Sequence, residues 1–388
     1  MVQLCAVPRS MVESAGWIAR LSKPLYDTLK ALCLDRHRER AFTERFLFPA
    51  FSTLQKEAAA VDEMFREAND LDAASTPAYA TNYVIVQTLR LMERHVALGI
   101  ELGLYPYWYD LSQAFWYRDF LLTALLNVMS TLEKEKMERK ILEHQIKMEQ
   151  EEEEKRHAPQ EHTCSLKKAG SGKKKKGKKA KGASPHPSLY THASAIDAIS
   201  KISPESFEDR IDFTIISLRR SLCRGTVRLI AALQQAQLFH NPPDTMSIFT
   251  THKRMFEKRF DVFSDLPQPP SLSYDDYKRG SDFSAVNSKD LIASTKECFR
   301  AAKSCVDRLL EVILPHDTTV IPVITEQRKN EDLYISIRRE EIMALAKVCV
   351  SNSLFLLKLE TATTNNKSPS EKVALVFSSH KEYFTVAD

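Results

Sequence analysis

Three groupings in this 388-residue chain have residue types and spacings that chemistry could use. Lys167-Lys-Ala-Gly170-Ser-Gly172 sets cations ahead of two glycines, the order of a loop that cradles a coenzyme pyrophosphate. Such a loop works when a strand leads in and a helix N-terminus leads out, so that backbone N–H groups converge on phosphate. Here the flanks are lysine, glycine and serine without strand or helix pattern, and no cofactor site is read there. Cys298 and Cys305, seven apart, fall two turns apart on one helix face, too far for a disulfide; core thiols are expected. His95 stands alone on a helical pattern and is expected to pack rather than to hold a metal. The sequence contains no GxSxG, HExxH or Walker loop and no Cys or His pair at metal spacing. No catalytic, cofactor-binding or metal-ligating residue is therefore nominated, and no enzyme activity is expected.

Composition points the same way. Hydrophobic residues make up 43% and charged residues 27%, enough for packed helical cores. Glycine numbers nine, four of them between Gly170 and Gly182, so tight turns are few and helices are favoured. The formal charge is +4, but the nine lysines between Lys167 and Lys181 leave the rest of the chain at −5. Basicity is thus local and suits one anionic contact point rather than a surface coated for nucleic acid. Seven cysteines without a CxxC fit a reducing compartment. The start, MVQLCAVPRSMV, lacks a signal-peptide pattern, and the most apolar window, Phe115 to Met129, contains Arg118 and Asp119, so no membrane span is expected.

Apolar residues recurring at three and four predict a chain of helices: Met11 to Asp35, Arg36 to Asn69 with a bend at Pro49, and Tyr79 to Leu102. In the second, Phe42, Phe46, Phe51, Leu54, Ala58, Val61 and Phe65 form the expected inward stripe. Eight aromatics between Tyr105 and Phe120 would point in several directions from a helix, so that segment should be surrounded by protein or form a partner groove. The helix is expected to continue as a charged rod ending in Glu151 to Glu154. The predicted organisation is a helical region 1–155, a disordered Lys-rich linker 156–187, and a second helical region 188–388. Ser203 and Pro204 read as a cap and first turn; further helices are expected at Lys289 to Leu314 and Glu331 to Thr361. An aromatic and proline-rich strap spans 246–285, and an extended tail 370–388 follows. The fold class is all-α: long antiparallel helices forming a scaffold.

The order of motifs resembles one family. RHRERAFTERFLFPAFSTLQKEAAAVDEMF is followed by GIELGLYPYWYDLSQAFWYRDFLLTALLNVMSTL, a lysine-rich insertion, HKRMFEKRFDVFSDLPQPPSLSYDDYK and a terminal VFSSHKEYFTV. This is similar to the C-terminal half of the large auxiliary subunit of the NatC N-terminal acetyltransferase complex. Gly99, Glu101, Tyr105, Tyr109, Trp116 and Tyr117 echo the family's aromatic segment. Phe256, Arg259, Phe260 and Phe263 match its strap, Pro269, Pro270 and Tyr274 the Pro-Pro-x-x-x-Tyr that follows, and Phe377, Ser378, His380, Lys381 and Phe384 its terminal motif. Lys258 stands where the strap has histidine and Val262 where it has proline, and the tail carries an extra residue between Lys381 and Phe384. The resemblance implies a non-catalytic scaffold in the cytoplasm, with a catalytic acetyltransferase subunit, a small Sm-like subunit and the ribosome as partners. Acetyl-coenzyme A would sit on the catalytic subunit, and the substrates would be chains starting with Met and a hydrophobic residue. Because only the C-terminal half of the family is matched, the chain is expected to be a fragment or a short form. The aromatic and strap residues are nominated as packing or partner-surface elements.

Lys167, Lys168, Lys173, Lys174, Lys175, Lys176, Lys178, Lys179 and Lys181 are nominated as an electrostatic contact to ribosomal RNA, gaining affinity by counterion release without sequence readout. A nuclear address and a solvated linker are the other readings of the same run. A general helical adaptor with a basic RNA-binding loop is the alternative for the whole chain.

Overall fold

The computed structural model describes residues 39–68, 78–157, 207–239, 247–264, 266, 269, 271–313, 326–364, 373–377 and 382–387. The helix expected from Met11 to Asp35, the Lys-rich run and the Ser203-Pro204 cap lie outside the described residues. The chain divides into two compact units, residues 1–131 with 206–388, and residues 132–205. The described part of the second unit, residues 132–157, is helical.

The first unit begins with helix α1 (Glu39–Phe42), which passes through a π-turn (Thr43–Leu47) into α2 (Phe48–Ala68). The Phe48 N–H reaches back to the Thr43 carbonyl, one residue further than in an α-helix, immediately before Pro49, which has no N–H to give. The extra residue shifts the inward face. Thr43, Leu47 and Phe48 are buried, whereas Phe42 and Phe46 turn outward at 45% and 54% exposure. The stripe expected from the sequence therefore holds at Phe51, Leu54, Ala58 and Val61 and fails upstream of the proline.

Helix α3 (Tyr79–Glu101) runs antiparallel to α2: Gln55 bonds Thr88, and Asp62 meets the start of α3. Ala78 offers no capping side chain, so Asp62 supplies the cap from the neighbouring helix, accepting from Ala80 N at 2.9 Å and Thr81 N at 2.8 Å. At its end, Gly103 (φ 69°) takes the left-handed position, with Leu104 N bonding Gly99 O and Gly103 N bonding Ile100 O. Helix α4 (Trp108–His157) follows; residues 108–131 belong to the first unit.

After the gap come α5 (Phe207–Gln235), α6 (Ser247–Phe260) with a 3-10 turn (Asp261–Phe263), and α7 (Tyr274–Ser281). Ser273 and Asp276 cap α7 reciprocally, Asp276 N donating to Ser273 Oγ at 3.2 Å and Ser273 N to Asp276 Oδ2 at 2.9 Å. The strap is thus largely helical. Helix α8 (Ser288–Ile313) lies antiparallel on α5, with Ser288 Oγ donating to Gln235 Oε1 at one end and Arg228 Nη1 on Cys298 Sγ at 2.9 Å further along. Gly225 lets the two helices approach: a Cβ there would lie 3.2 Å from Cys298 Cβ and 3.3 Å from Phe299 Cζ. Helix α9 (Glu326–Thr364) packs antiparallel on α8, tied by Lys296 Nζ and Glu360 Oε2 at 2.6 Å. The chain closes with an antiparallel pair, β1 (Ala374–Phe377) and β2 (Phe384–Ala387), in register Ala374 to Ala387. The described residues form the expected all-α architecture of long antiparallel helices, with one short hairpin in the tail.

Candidate functional site

The most ionisable site in the body is a buried cluster around Glu382, the residue two before β2. Glu382 Oε1 accepts from Arg94 Nη1 of α3 at 2.5 Å, and Oε2 lies 3.3 Å from Arg118 Nη2 of α4. Arg118 also donates to Glu93 of α3, through Nε at 2.9 Å and through Nη2. Arg219 of α5 reaches Glu341 of α9 and stands 3.7 Å from Glu93, and Arg94 pairs with Glu101 at 3.0 Å. Burial alone would raise the Glu382 carboxyl; the guanidinium groups of Arg219, Arg118 and Arg94 outweigh it and hold it well below the usual carboxylate range. Next to it, Tyr383 lies under the Arg118 guanidinium at 5.1 Å and against Phe115 at 5.7 Å. Its hydroxyl faces Cys223 Sγ at 3.7 Å. Burial pushes the Cys223 thiol up to about 12, so it stays protonated. Asn352 of α9 then treats β2 as a neighbouring strand would: its Nδ2 donates to Phe384 O at 3.0 Å and its Oδ1 accepts from Val386 N at 3.2 Å. Arg94 and Arg118 hold the tail directly, and Glu93, Glu101, Arg219 and Glu341 tie α3, α4, α5 and α9 around it.

The aromatic segment and the strap meet in a second cluster. Tyr117 stacks on Phe260 at 4.2 Å with the rings within 4° of parallel, and Phe256 and Phe263 flank the pair. Phe263 continues edge-on to Phe48 at 5.1 Å and His95 at 5.6 Å. Tyr274 reaches Phe256 at 5.7 Å, and Trp116 meets Tyr277 at 5.5 Å, whose hydroxyl donates to Ser112 Oγ. Arg259 Nη1 pairs with Asp110 Oδ1 at 2.5 Å while its guanidinium covers Tyr105 at 5.2 Å. Tyr105, Tyr117, Phe256, Phe260, Phe263, Pro269, Tyr274 and Phe384 are buried; Tyr109, Trp116 and Arg259 are half-buried; Phe377 is at the exposed edge of β1. Pro270, His380 and the nominated lysines lie outside the described residues. Lys258, at the strap's expected histidine, is exposed, and Val262 is half-buried. The aromatic segment is not surrounded throughout: Tyr107 is 57% exposed, and Trp108 and Tyr109 are open on one side.

His95 is fully enclosed between Phe48 and Phe263, with Glu44 Oε1 3.2 Å from its Nε2. Burial pushes the imidazole down to about 4; Glu44 opposes that and Arg40 adds to it. Among the described residues no group of three or more His, Cys, Asp or Glu could hold a metal ion.

Sequence reasoning missed Glu382, Asn352 and the arginines that receive the tail. Arg118, a charge inside an apolar helical stretch, was the one local signal.

Helix α9 carries an outward apolar face. Met343, Val350, Leu354 and Leu357 recur along one side, each roughly half exposed, while Ile342, Leu345, Val348, Cys349, Leu356 and Leu359 are buried on the other. Among the described residues, Glu341–Thr363 is the one helix long and apolar enough by composition to cross a membrane. Its inner face is built into the core, and Asn352 on that face is bonded to β2.

These features define a class: an all-α scaffold whose buried charges around Glu382 are paired within the body. The chain belongs to the family described as NAA35-like, TPR repeats, whose profile matches residues 6–387. That family is the non-catalytic auxiliary subunit of the NatC complex. A chain in the solved "Crystal structure of the NatC complex bound to Gag peptide and CoA" has the same fold, with TM-score 0.52 at 14% identity. The match covers 95% of this chain and 47% of that one, so this chain spans about half its length. Direct comparison with curated proteins gives no match.

Proposed function

We propose that this chain is a scaffold for the catalytic subunit of a NatC-type N-terminal acetyltransferase and for a small Sm-like subunit. The observation that carries the reading is the outward stripe of α9, joined to family membership. Met343, Val350, Leu354 and Leu357 form a contiguous apolar face on a helix whose other side is already packed, and such a face on a scaffold calls for a partner. Acetyl-coenzyme A belongs to the catalytic subunit in this scheme, and the acetylated chains begin with Met and a hydrophobic residue. The nine lysines from Lys167 to Lys181 tether the assembly to ribosomal RNA in the cytoplasm through phosphate contacts, the chemistry for which a dense lysine run is suited.

Co-expression with the cognate catalytic subunit, pull-down, and ribosome co-sedimentation at low and moderate salt test this. The expected result is a stable complex whose sedimentation is salt-sensitive and is lost when the lysines from Lys173 to Lys181 become serine. No complex would overturn the scaffold reading. A complex that sediments equally well without the lysines would overturn the tether. Tight binding of free RNA by the chain alone would favour an RNA-binding adaptor.

A further inference from the structure

An open cleft of about 640 Å³ lies among α4, α5, α6, α7 and the loop at 282–284, on the side where the aromatic segment is uncovered. That size is within the usual range for a ligand site. Trp108 forms one wall and is held by stacking on Phe239 at 5.4 Å, within 4° of parallel. Tyr109 forms another, braced by His252 at 4.0 Å and Tyr107 at 5.2 Å. The polar groups around it are mostly committed. The Tyr277 hydroxyl donates to Ser112 Oγ, and the Gln235 amide donates to Phe283 O and Val286 O while accepting from Ser288.

Gln113 is the buried exception. It lines the cleft, is 1% exposed, and its Oε1 is a buried acceptor with no donor. Among the described residues its amide makes no hydrogen bond. Leaving such a group unpaired is costly, so a partner from outside the chain, whether ligand or ordered water, is expected to complete it. A primary amide presents a carbonyl and N–H side by side, the complement of a peptide group. The formal charges on the cleft wall balance, Lys278 against Asp282, and burial lowers the His252 pKa, which keeps that ring neutral at pH 7. Nothing there selects a phosphate or a strongly charged cofactor.

We propose that this cleft seats an extended segment of the catalytic partner. One of its backbone peptide groups pairs with the Gln113 amide, and an adjacent apolar side chain lies against Trp108 and Tyr109. The occupant's identity rests on the scaffold reading above; the site itself rests on Gln113 and the aromatic walls. Binding of this kind takes its affinity from main-chain hydrogen bonds and its selectivity from the side-chain pocket.

The test uses the full chain and the purified catalytic subunit. Gln113→Leu keeps the buried volume and deletes the amide. It is expected to raise the melting temperature of the free chain, because an unpaired polar group is removed, while weakening the complex about tenfold, as is Trp108→Ala. Hydrogen exchange is expected to slow at residues 108–113 and 274–284 when the two proteins are mixed. Affinities within twofold of the unaltered chain for both variants would overturn the cleft proposal and leave the scaffold standing. Equal protection before and after mixing would also overturn it, since another segment would then fill the cleft. Failure of the unaltered chain to bind would reject the scaffold reading and this occupant together.

Discussion

Glu382 and Arg94 lie 2.5 Å apart across 288 residues of sequence, and their contact draws the last strand into the helical body. Four helices contribute to the same cluster, so the tail is a structural keystone rather than an appendage. Glu382→Ala removes the carboxylate that Arg94 and Arg118 share, leaving Arg94 only Glu101 and Arg118 only Glu93, and is expected to destabilise the chain by about 3–5 kcal/mol. The carboxyl's folded pKa lies below its ordinary 4.5, so its contribution is complete above that value and fades as pH falls through the acid range. Urea unfolding of both proteins checks this: the gap between them should be widest near neutral pH and narrow below pH 4.5.

His95 gives a second pH dependence in a separate window. Its imidazole is pushed down from 6.5 to about 4, chiefly by burial. Below pH 6.5 the unfolded chain takes a proton that the folded chain refuses, so stability falls as pH drops from 6.5 toward 4. The whole effect is about 3 kcal/mol at about 1.4 kcal/mol per unit. His95→Leu should flatten the curve in that window, leaving the smaller slope of the half-buried His252, which is shifted the same way. An unchanged slope between pH 6.5 and 5 would show that His95 is not the group responsible.

Local pattern revealed the helices because their apolar residues recur at the helical period, as in α5, where Ile216, Leu222, Val227, Ile230 and Leu233 of the expected stripe are buried and only Phe213, at 38% exposure, is not. It failed where geometry departs from that period: the π-turn before Pro49 rotates Phe42 and Phe46 out of the core, which no three-and-four count could foresee. The strap was legible as ordered because of its aromatic density, and its helical form follows from the Ser273-Asp276 cap and the run before Phe260. The Glu382 cluster was illegible for a different reason. Its members pair across 7 to 288 residues of sequence, and apart from Arg118 each alone looks like an ordinary surface charge. Gln113, likewise, is one polar residue in an aromatic helix and stands out through its missing partner.

Asn352 is a polar residue fully buried on the inner face of α9, and its two bonds to β2 explain its presence there. Asn352→Leu retains volume but strands the Phe384 carbonyl and the Val386 N–H. The expected cost is about 2–6 kcal/mol, since each of the two stranded groups costs about 1–3. The tail should loosen before the helices do. Amide exchange at Val386 should accelerate well beyond that of α8, and comparable acceleration in both would mean that Asn352 supports the helix pair rather than the strand.

Leu354 and Leu356, two residues apart on α9, separate the stability of the body from its association. Leu356 is fully buried and Leu354 is 57% exposed. Residues two apart on a helix are rotated by about 200°, so one faces the core while the other faces outward. Leu356→Ala should cost about 2–5 kcal/mol through the cavity it leaves. Leu354→Glu should change the free chain by no more than about 0.5 kcal/mol, as an exposed substitution does. If α9 docks the catalytic subunit, the same Leu354→Glu should weaken the complex by about tenfold or more, because a charge would be desolvated at the centre of an apolar contact. Isothermal titration with the catalytic subunit, alongside thermal unfolding of the free variants, measures both quantities. Leu354→Glu binding as tightly as the unaltered chain would move the docking face off α9, whatever Leu356 does to the fold.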